Sequence, residues 1–210
     1  MEMSRYPYDI TRATQTLKKS DPVLGTLIVT VGRFHIKPDP STNTFEALTR
    51  SIVYQQLSGR SANAIFSRLM LLGRRNLHPT PRQILRYSNK SLRNIGLSMP
   101  KIRYLKNLAR EAITPSFPTF DKLDQMSDQT IIDQLTLLNG IGIWSVQMLL
   151  LNCLKRPDVL PASDLGIRKG FKRLLSLNAL PSEATVLARG CRWEPYRSIA
   201  SWYLWQANHL

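Results

Sequence analysis

The sequence predicts an all-α protein built as two helical lobes, and three observations carry that prediction. Apolar residues recur at spacings of three and four along most of the chain. Capping residues, prolines and glycines punctuate those patterns at plausible helix ends. No segment shows sustained period-two alternation between turns. Thr26–Val31 comes nearest and is too short to separate from a helix, so strand content should be near zero.

The elements follow in order. Asp21-Pro22 is a helix start, a capping carboxylate before a proline in the first turn, and it leads into Val23–Phe34. Lys37–Asn43 holds two prolines and reads as a loop. Phe45–Gln55 and Ser61–Leu72 are helical patterns separated by Leu57-Ser58-Gly59. His78–Pro81 breaks the chain, and short helices are expected at Arg82–Tyr87 and Asn89–Ile95. Pro100–Thr114 is amphipathic, with Ile102, Leu105, Leu108 and Ala109 on one side and Arg103, Lys106 and Arg110 on another. Pro115–Phe120 reads as a linker. Ser127–Leu138 opens a helical hairpin over residues 127–155, and three more helical patterns follow at Asp164–Leu175, Pro181–Arg189 and Glu194–Asn208. Composition does not change across the proline breaks. Residues 1–210 therefore read as one functional unit, with lobes at 1–50 plus 160–210 and at 51–159.

Charge is the strong compositional signal. The 210 residues carry a formal net charge of +15. Basic residues are spread in pairs such as Lys18-Lys19, Arg74-Arg75, Arg168-Lys169 and Lys172-Arg173. Such a surface attracts polyanions, and its affinity for nucleic acid should fall steeply with salt. An apolar content of 43% is ordinary for a globular chain. Met148–Leu154 falls well short of the roughly 18 apolar residues that a membrane span requires. Met1–Asp9 lacks the apolar core of a signal peptide, so an intracellular protein is expected. Cys153 and Cys191 cannot ligate a four-cysteine cluster, and the spacing of His35, His78 and His209 suggests no zinc site with them.

The densest chemistry lies in Leu138-Asn139-Gly140-Ile141-Gly142-Ile143-Trp144-Ser145 and Leu160-Pro161-Ala162-Ser163-Asp164. Ile131, Leu135 and Leu138 form an apolar face before the Gly-x-Gly turn, and Val146, Leu149, Leu150 and Leu154 form one after it. A helix that begins just past Gly142 points unpaired N–H groups back at the turn, and the glycines leave room for a phosphate. Asp164 is also a natural N-cap for the helix that follows it, a position that favours an ionised carboxylate.

These segments appear in a set: Ile52-Val53-Tyr54-Gln55-Gln56-Leu57-Ser58, Gly96-Leu97-Ser98 with Lys101, Tyr104 and Leu105, Leu138–Trp144, Leu160–Arg168, and Trp193–Ser198 with Trp202-Tyr203-Leu204-Trp205. In that order the chain resembles the helix-hairpin-helix (HhH-GPD) DNA glycosylases, and within them the alkylbase or 3-methyladenine glycosylases of bacterial and yeast type. The resemblance runs from about Val23 to the end of the chain. It implies two helical lobes around a cleft and excision of an N-alkylated purine from duplex DNA by nucleotide flipping. A monomer acting in the nucleus, or in the nucleoid of a bacterium, is the corresponding expectation.

The resemblance also assigns roles. Gly140, Gly142 and Ser145 match hairpin positions that hold a phosphate, and the hairpin carbonyls near Leu138–Ile143 match a site for a monovalent cation. No other cofactor is implied. Asp164 matches the family's aspartate, which stabilises the oxocarbenium-like sugar and helps orient water. Trp144, Met148 and Trp205 match the base pocket, where aromatic faces attract a cationic alkylated purine. Gln56 matches the residue that fills the gap in the stack, with Gln55 and Ser58 beside it, and Lys101 matches a phosphate contact. Trp144 also stands where strand-cutting members carry a lysine, so a monofunctional enzyme without lyase chemistry is expected. Four positions depart from close relatives: Ser163 for a second acid, Ile143 for a basic residue, a small Ser58, and Met148 for a pocket aromatic. These departures leave open a lesion- or abasic-site-binding protein with weak excision, or a structural DNA-binding module.

Overall fold

The computed structural model describes residues 6–36, 39–74 and 77–210. Residues 37–38 of the expected loop, Arg75 of the Arg74-Arg75 pair and the first five residues lie outside the described residues. Among the described residues the chain is helical and contains no strand. From the amino end run α1 (Ile10–Ser20), α2 (Pro22–Val31), α3 (Thr44–Tyr54), α4 (Gly59–Leu72), α5 (Pro81–Arg86), α6 (Asn89–Asn94) and α7 (Met99–Glu111). They are followed by α8 (Phe120–Asp124), α9 (Asp128–Leu135), α10 (Ile143–Asn152), α11 (Leu165–Leu174), α12 (Glu183–Gly190) and α13 (Arg197–Gln206). No helix among these residues is long and apolar enough to cross a membrane.

Local chemistry sets the helix ends. Asp9, Asn43, Ser58, Thr80, Ser88, Ser98, Thr119, Ser127, Asp164 and Ser182 each accept a first-turn N–H through the side chain. The pattern expected over Val23–Phe34 stops at Val31, because Gly32 follows with a φ of +83° that ends the helix. Two helices lie outside the expectations. In α1 only Ala13 and Leu17 are buried, too little apolar signal to announce it. The linker expected at Pro115–Phe120 ends in the five-residue α8, which buries Leu123.

The chain divides into two compact units, Met1–Pro38 with Leu150–Leu210, and Asp39–Leu149. Residues 39–50 go with the second unit because α3 buries Phe45, Leu48, Ile52 and Val53 and packs on α7. Residues 150–159 go with the first because Ser198 ties them to α13: its Oγ donates to Arg156 O (2.6 Å) and accepts from Val159 N (2.9 Å).

The first unit packs Leu17, Leu24, Ile28, Phe171, Trp193 and Tyr203 into one core. Its α11 and α13 cross closely, since a Cβ on Gly170 would lie 1.8 Å from Leu204 O. Asp21 organises this unit. It is fully buried, accepts from Val23 N and Leu24 N as the cap of α2, and receives Arg189 Nε (2.7 Å), Arg189 Nη2 (2.7 Å) and Trp193 Nε1 (2.9 Å). Burial alone would raise its pKa, but the hydrogen bonds from Arg189, Trp193 and Leu24 outweigh that and hold the carboxyl below its ordinary range. The second unit buries Leu69, Ile84, Leu92, Ile102, Leu105, Ile131 and Val146.

Candidate functional site

In the second unit the hairpin between α9 and α10 is fastened by α3 and α7. Gln55, the residue after α3, donates from Nε2 to Gly140 O (2.9 Å) and to Ser145 Oγ (3.2 Å). Ser51 Oγ donates to Ser145 O at 3.4 Å. Ser145 is 1% exposed and its N–H returns to Gly142 O, so it lies inward and supports the turn. Lys101 bridges the same region by donating from Nζ to Val53 O and Gln55 O, both at 2.7 Å. Desolvation lowers the pKa of this half-buried ammonium. Gln55 and Lys101 thus hold the hairpin and the α3–α4 loop together across more than 40 residues of sequence.

The two hairpin glycines differ. Gly140 has a φ of +90°, and a Cβ there would sit 2.1 Å from Tyr104 Cγ, so the turn closes only on glycine. A Cβ on Gly142 would meet nothing within 4 Å. Space of this kind is where an anion can approach, next to the first N–H groups of α10. Tyr104, whose ring lies under Gly140, carries no role in the sequence reading.

The α3–α4 loop presents Gln56, exposed and with a left-handed φ of 54°. That backbone is uncommon for a side chain of this size, and Lys101 stabilises it by holding the preceding carbonyl. Ser58, beside it, caps α4 by accepting from Ser61 N at 3.3 Å. Trp144 and Met148, one turn apart on α10, are both half-buried on one helix face. Ile143 is 57% exposed at the mouth of the turn.

In the first unit, Asp164 follows two tight turns, Ala162 N to Leu160 O and Asp164 N to Pro161 O, both 2.9 Å. Its Oδ1 accepts from Ile167 N at 2.9 Å, which makes it the N-cap of α11, and from Trp205 Nε1 at 2.9 Å. The carboxylate is half-buried, and Ser163 beside it is exposed. Gly166 lies under this pair. A Cβ there would be 2.9 Å from both Asp164 Oδ1 and Trp205 Cδ1. Asn208 Nδ2 donates to Gly166 O at 2.9 Å. Nothing local in the sequence marks Gly166 or Asn208, since their significance depends on α11 and α13 packing together. A carboxylate fixed through one oxygen at a helix amino terminus can stabilise an adjacent developing positive charge.

The structure therefore gathers Gln55, Gln56, Ser58, Lys101, Gly140, Gly142 and Ser145 around one hairpin. Asp164 and Trp205 form a second, hydrogen-bonded group. Residues 49–195 match the family model described as HhH-GPD superfamily base excision DNA repair protein. The chain is 35% identical over 204 residues to DNA-3-methyladenine glycosylase 1 of Schizosaccharomyces pombe, covering 96% of this chain and 89% of that protein. A solved S. pombe 3-methyladenine DNA glycosylase in complex with abasic DNA superposes with a TM-score of 0.92 at 34% identity, covering 95% and 97% of the two chains. A DNA-3-methyladenine glycosidase from Bacillus halodurans gives a TM-score of 0.77 at 32% identity, over 93% and 88%.

Proposed function

Because this chain belongs to the HhH-GPD superfamily of base excision DNA repair proteins, we propose that it is a DNA glycosylase that removes N-alkylated purines, of the 3-methyladenine and 7-methylguanine class, from duplex DNA. The observation that carries this reading is Asp164, a carboxylate held at the start of α11 by Ile167 N and Trp205 Nε1. Its charge stabilises the oxocarbenium-like sugar as the N-glycosidic bond breaks and helps orient the water that completes hydrolysis. An alkylated purine is cationic and already an activated leaving group. Stacking on the ring of Trp205, which lies beside Asp164, favours it by cation–π attraction of about 0.5–2 kcal/mol.

The hairpin supplies the grip. Gly142 leaves its side of the turn open to a phosphate, and Gln56 fills the gap in the base stack once the nucleotide has flipped. The carbonyls of Leu138 and Gly140 each accept one hydrogen bond, from Ile141 N and Gln55 Nε2, and each keeps a second lone pair. Those oxygens fit a monovalent cation, which would add positive field toward the phosphate. With Trp144 in place of an amine, excision is monofunctional and leaves an abasic site. A repair enzyme of this kind works in the nucleus, or in the nucleoid of a bacterium.

The test is release of 3-methyladenine and 7-methylguanine from alkylated duplex by the wild type and by Asp164→Asn. The substitution should lower the single-turnover rate by about 100-fold or more. Absence of release by the wild type at high enzyme concentration removes the reading. The second reading, a lesion-binding protein with little excision, draws support from the exposed apolar Ile143 at the hairpin mouth. Its signature is tight, salt-sensitive binding to an abasic analogue without base release.

A further inference from the structure

Residues 47–110 contain 13 of the 29 Lys and Arg and none of the 14 Asp and Glu. Almost all of the net charge of +15 therefore originates in this one stretch, while the remainder of the chain is close to neutral. Charge kept only for solubility has no need of such segregation. The stretch forms α4–α7 and most of α3, all within the second unit.

Six of these cations stand exposed on three helices that pack together through α7. Both α5 and α6 pack against α7. They turn Ile84, Leu92, Ile102, Leu105 and Leu108 inward. On the exposed sides stand Arg82 and Arg86 of α5, Lys90 and Arg93 of α6, and Arg103 and Arg110 of α7. The spacing within each helix, three, four or seven residues, puts each pair on one helix face. Among the described residues, none of these six has an ion-pair partner, whereas Arg50 of the same unit pairs with Asp39. No large apolar side chain between Leu77 and Ile113 is exposed.

We propose that the outer face of α5, α6 and α7 is a second DNA-contact surface, which binds the phosphate backbone of undamaged duplex away from the lesion. This goes beyond excision at Asp164 and does not depend on it. Two features select duplex DNA over a lipid surface or a protein partner. The patch has cations without the exposed apolar or aromatic anchors that a membrane or protein interface uses. It also continues from the hairpin, because α7 supports the turn with Lys101 and Tyr104 on one side and carries Arg103 and Arg110 on another. Those residues span about 1.5 Å of helix per position, against one phosphate charge per roughly 1.7 Å of duplex, so a duplex following α7 meets several phosphates.

The experiment compares two quadruple variants of the full chain on undamaged duplex, with affinity measured against salt concentration. One carries Arg82→Gln, Arg86→Gln, Lys90→Gln and Arg93→Gln. The other removes the same charge from exposed positions of the first unit: Lys18→Gln, Lys19→Gln, Lys169→Gln and Arg192→Gln. The first variant should bind about tenfold or more weakly near 0.1 M salt, with a salt slope shallower by up to about 0.9 for each phosphate that is no longer neutralised. The second should change by less than about threefold. Equal losses in the two variants, or an unchanged slope in the first, overturn the proposal. Thermal melting is recorded for both; if the first variant melts early, Arg86→Gln and Arg103→Gln singly replace it under the same criterion. The readout is equilibrium binding without base release, so it stands apart from any failure of excision.

Discussion

The two units use arginine in opposite directions. In the first, Arg189 lies on buried Asp21, and Arg197 pairs with Asp158 at 2.8 Å and Glu194 at 2.9 Å. Arg168 and Arg173 donate to the carbonyls of Pro181 and Ala207. These guanidiniums are clamps that join distant pieces of chain. In the second unit Arg82, Arg86, Arg93 and Arg103 are exposed on a surface whose sequence offers no carboxylate. Residue type alone therefore does not separate a structural arginine from one that waits for a ligand. Whether the fold brings an acceptor within reach does.

Asp21→Ala is the hardest test of the inward half of this comparison. It leaves Arg189 and Trp193 Nε1 without their acceptor and uncaps α2, so a loss of about 3–5 kcal/mol is expected by calorimetry or denaturant titration. Arg86→Gln, by contrast, should change stability by no more than about 0.5 kcal/mol. The sign with pH follows from the depressed folded pKa of Asp21. Its contribution is present above the unfolded value near 3.9 and is lost as pH falls through the folded value. Asp21→Ala should accordingly flatten the acid limb of stability. A loss below about 1 kcal/mol would show that the clamp is dispensable.

Much of this was legible in the sequence, and the part that was not has a common cause. The Asp21-Pro22 start, the hairpin turn and Asp164 as the cap of α11 are local signals, decided by residues within a few positions of one another. The side-chain donors on Asp21, by contrast, come from Arg189 and Trp193, 168 and 172 positions away. Gln55 reads as a DNA contact from its motif, yet its amide reaches Gly140 and Ser145, 85 and 90 residues on. Lys101 likewise reads as a phosphate ligand, and its Nζ is held by two carbonyls of the α3 end. Polar residues advertise that they need a partner. Which partner they find is set by packing, which has no local signature. For α1, the missing signal was quantity: two buried side chains in 11 residues.

The hairpin glycines separate support from contact within the second unit. Gly140→Ala forces a side chain into a φ of +90° and against the Tyr104 ring, so a stability cost on the order of 2 kcal/mol is expected, with weaker abasic-DNA binding as a consequence. Gly142→Ala meets open space and should cost less than about 1 kcal/mol. If a phosphate approaches that side, Gly142→Ala nevertheless weakens abasic-DNA binding severalfold at unchanged stability. Unchanged binding by a stable Gly142→Ala protein would move the grip away from this glycine.

Trp205 allows the finest division, between an aromatic face and a hydrogen-bond donor. Its indole N–H shares Asp164 Oδ1 with Ile167 N, and Gly166 gives both side chains the room to meet. Trp205→Phe keeps an aromatic ring and removes the N–H, while the bond from Ile167 N remains. A hydrogen bond to a charged group is worth about 1.5–3 kcal/mol, so with one of two donors kept the single-turnover excision rate should fall roughly tenfold. Affinity for an abasic analogue, which has no base to stack, should change less than about twofold. That split between rate and affinity identifies Trp205 as a residue that positions Asp164. A Trp205→Phe protein that excises at the wild-type rate would instead leave the indole as a stacking face alone, with α11 capping sufficient to orient the carboxylate.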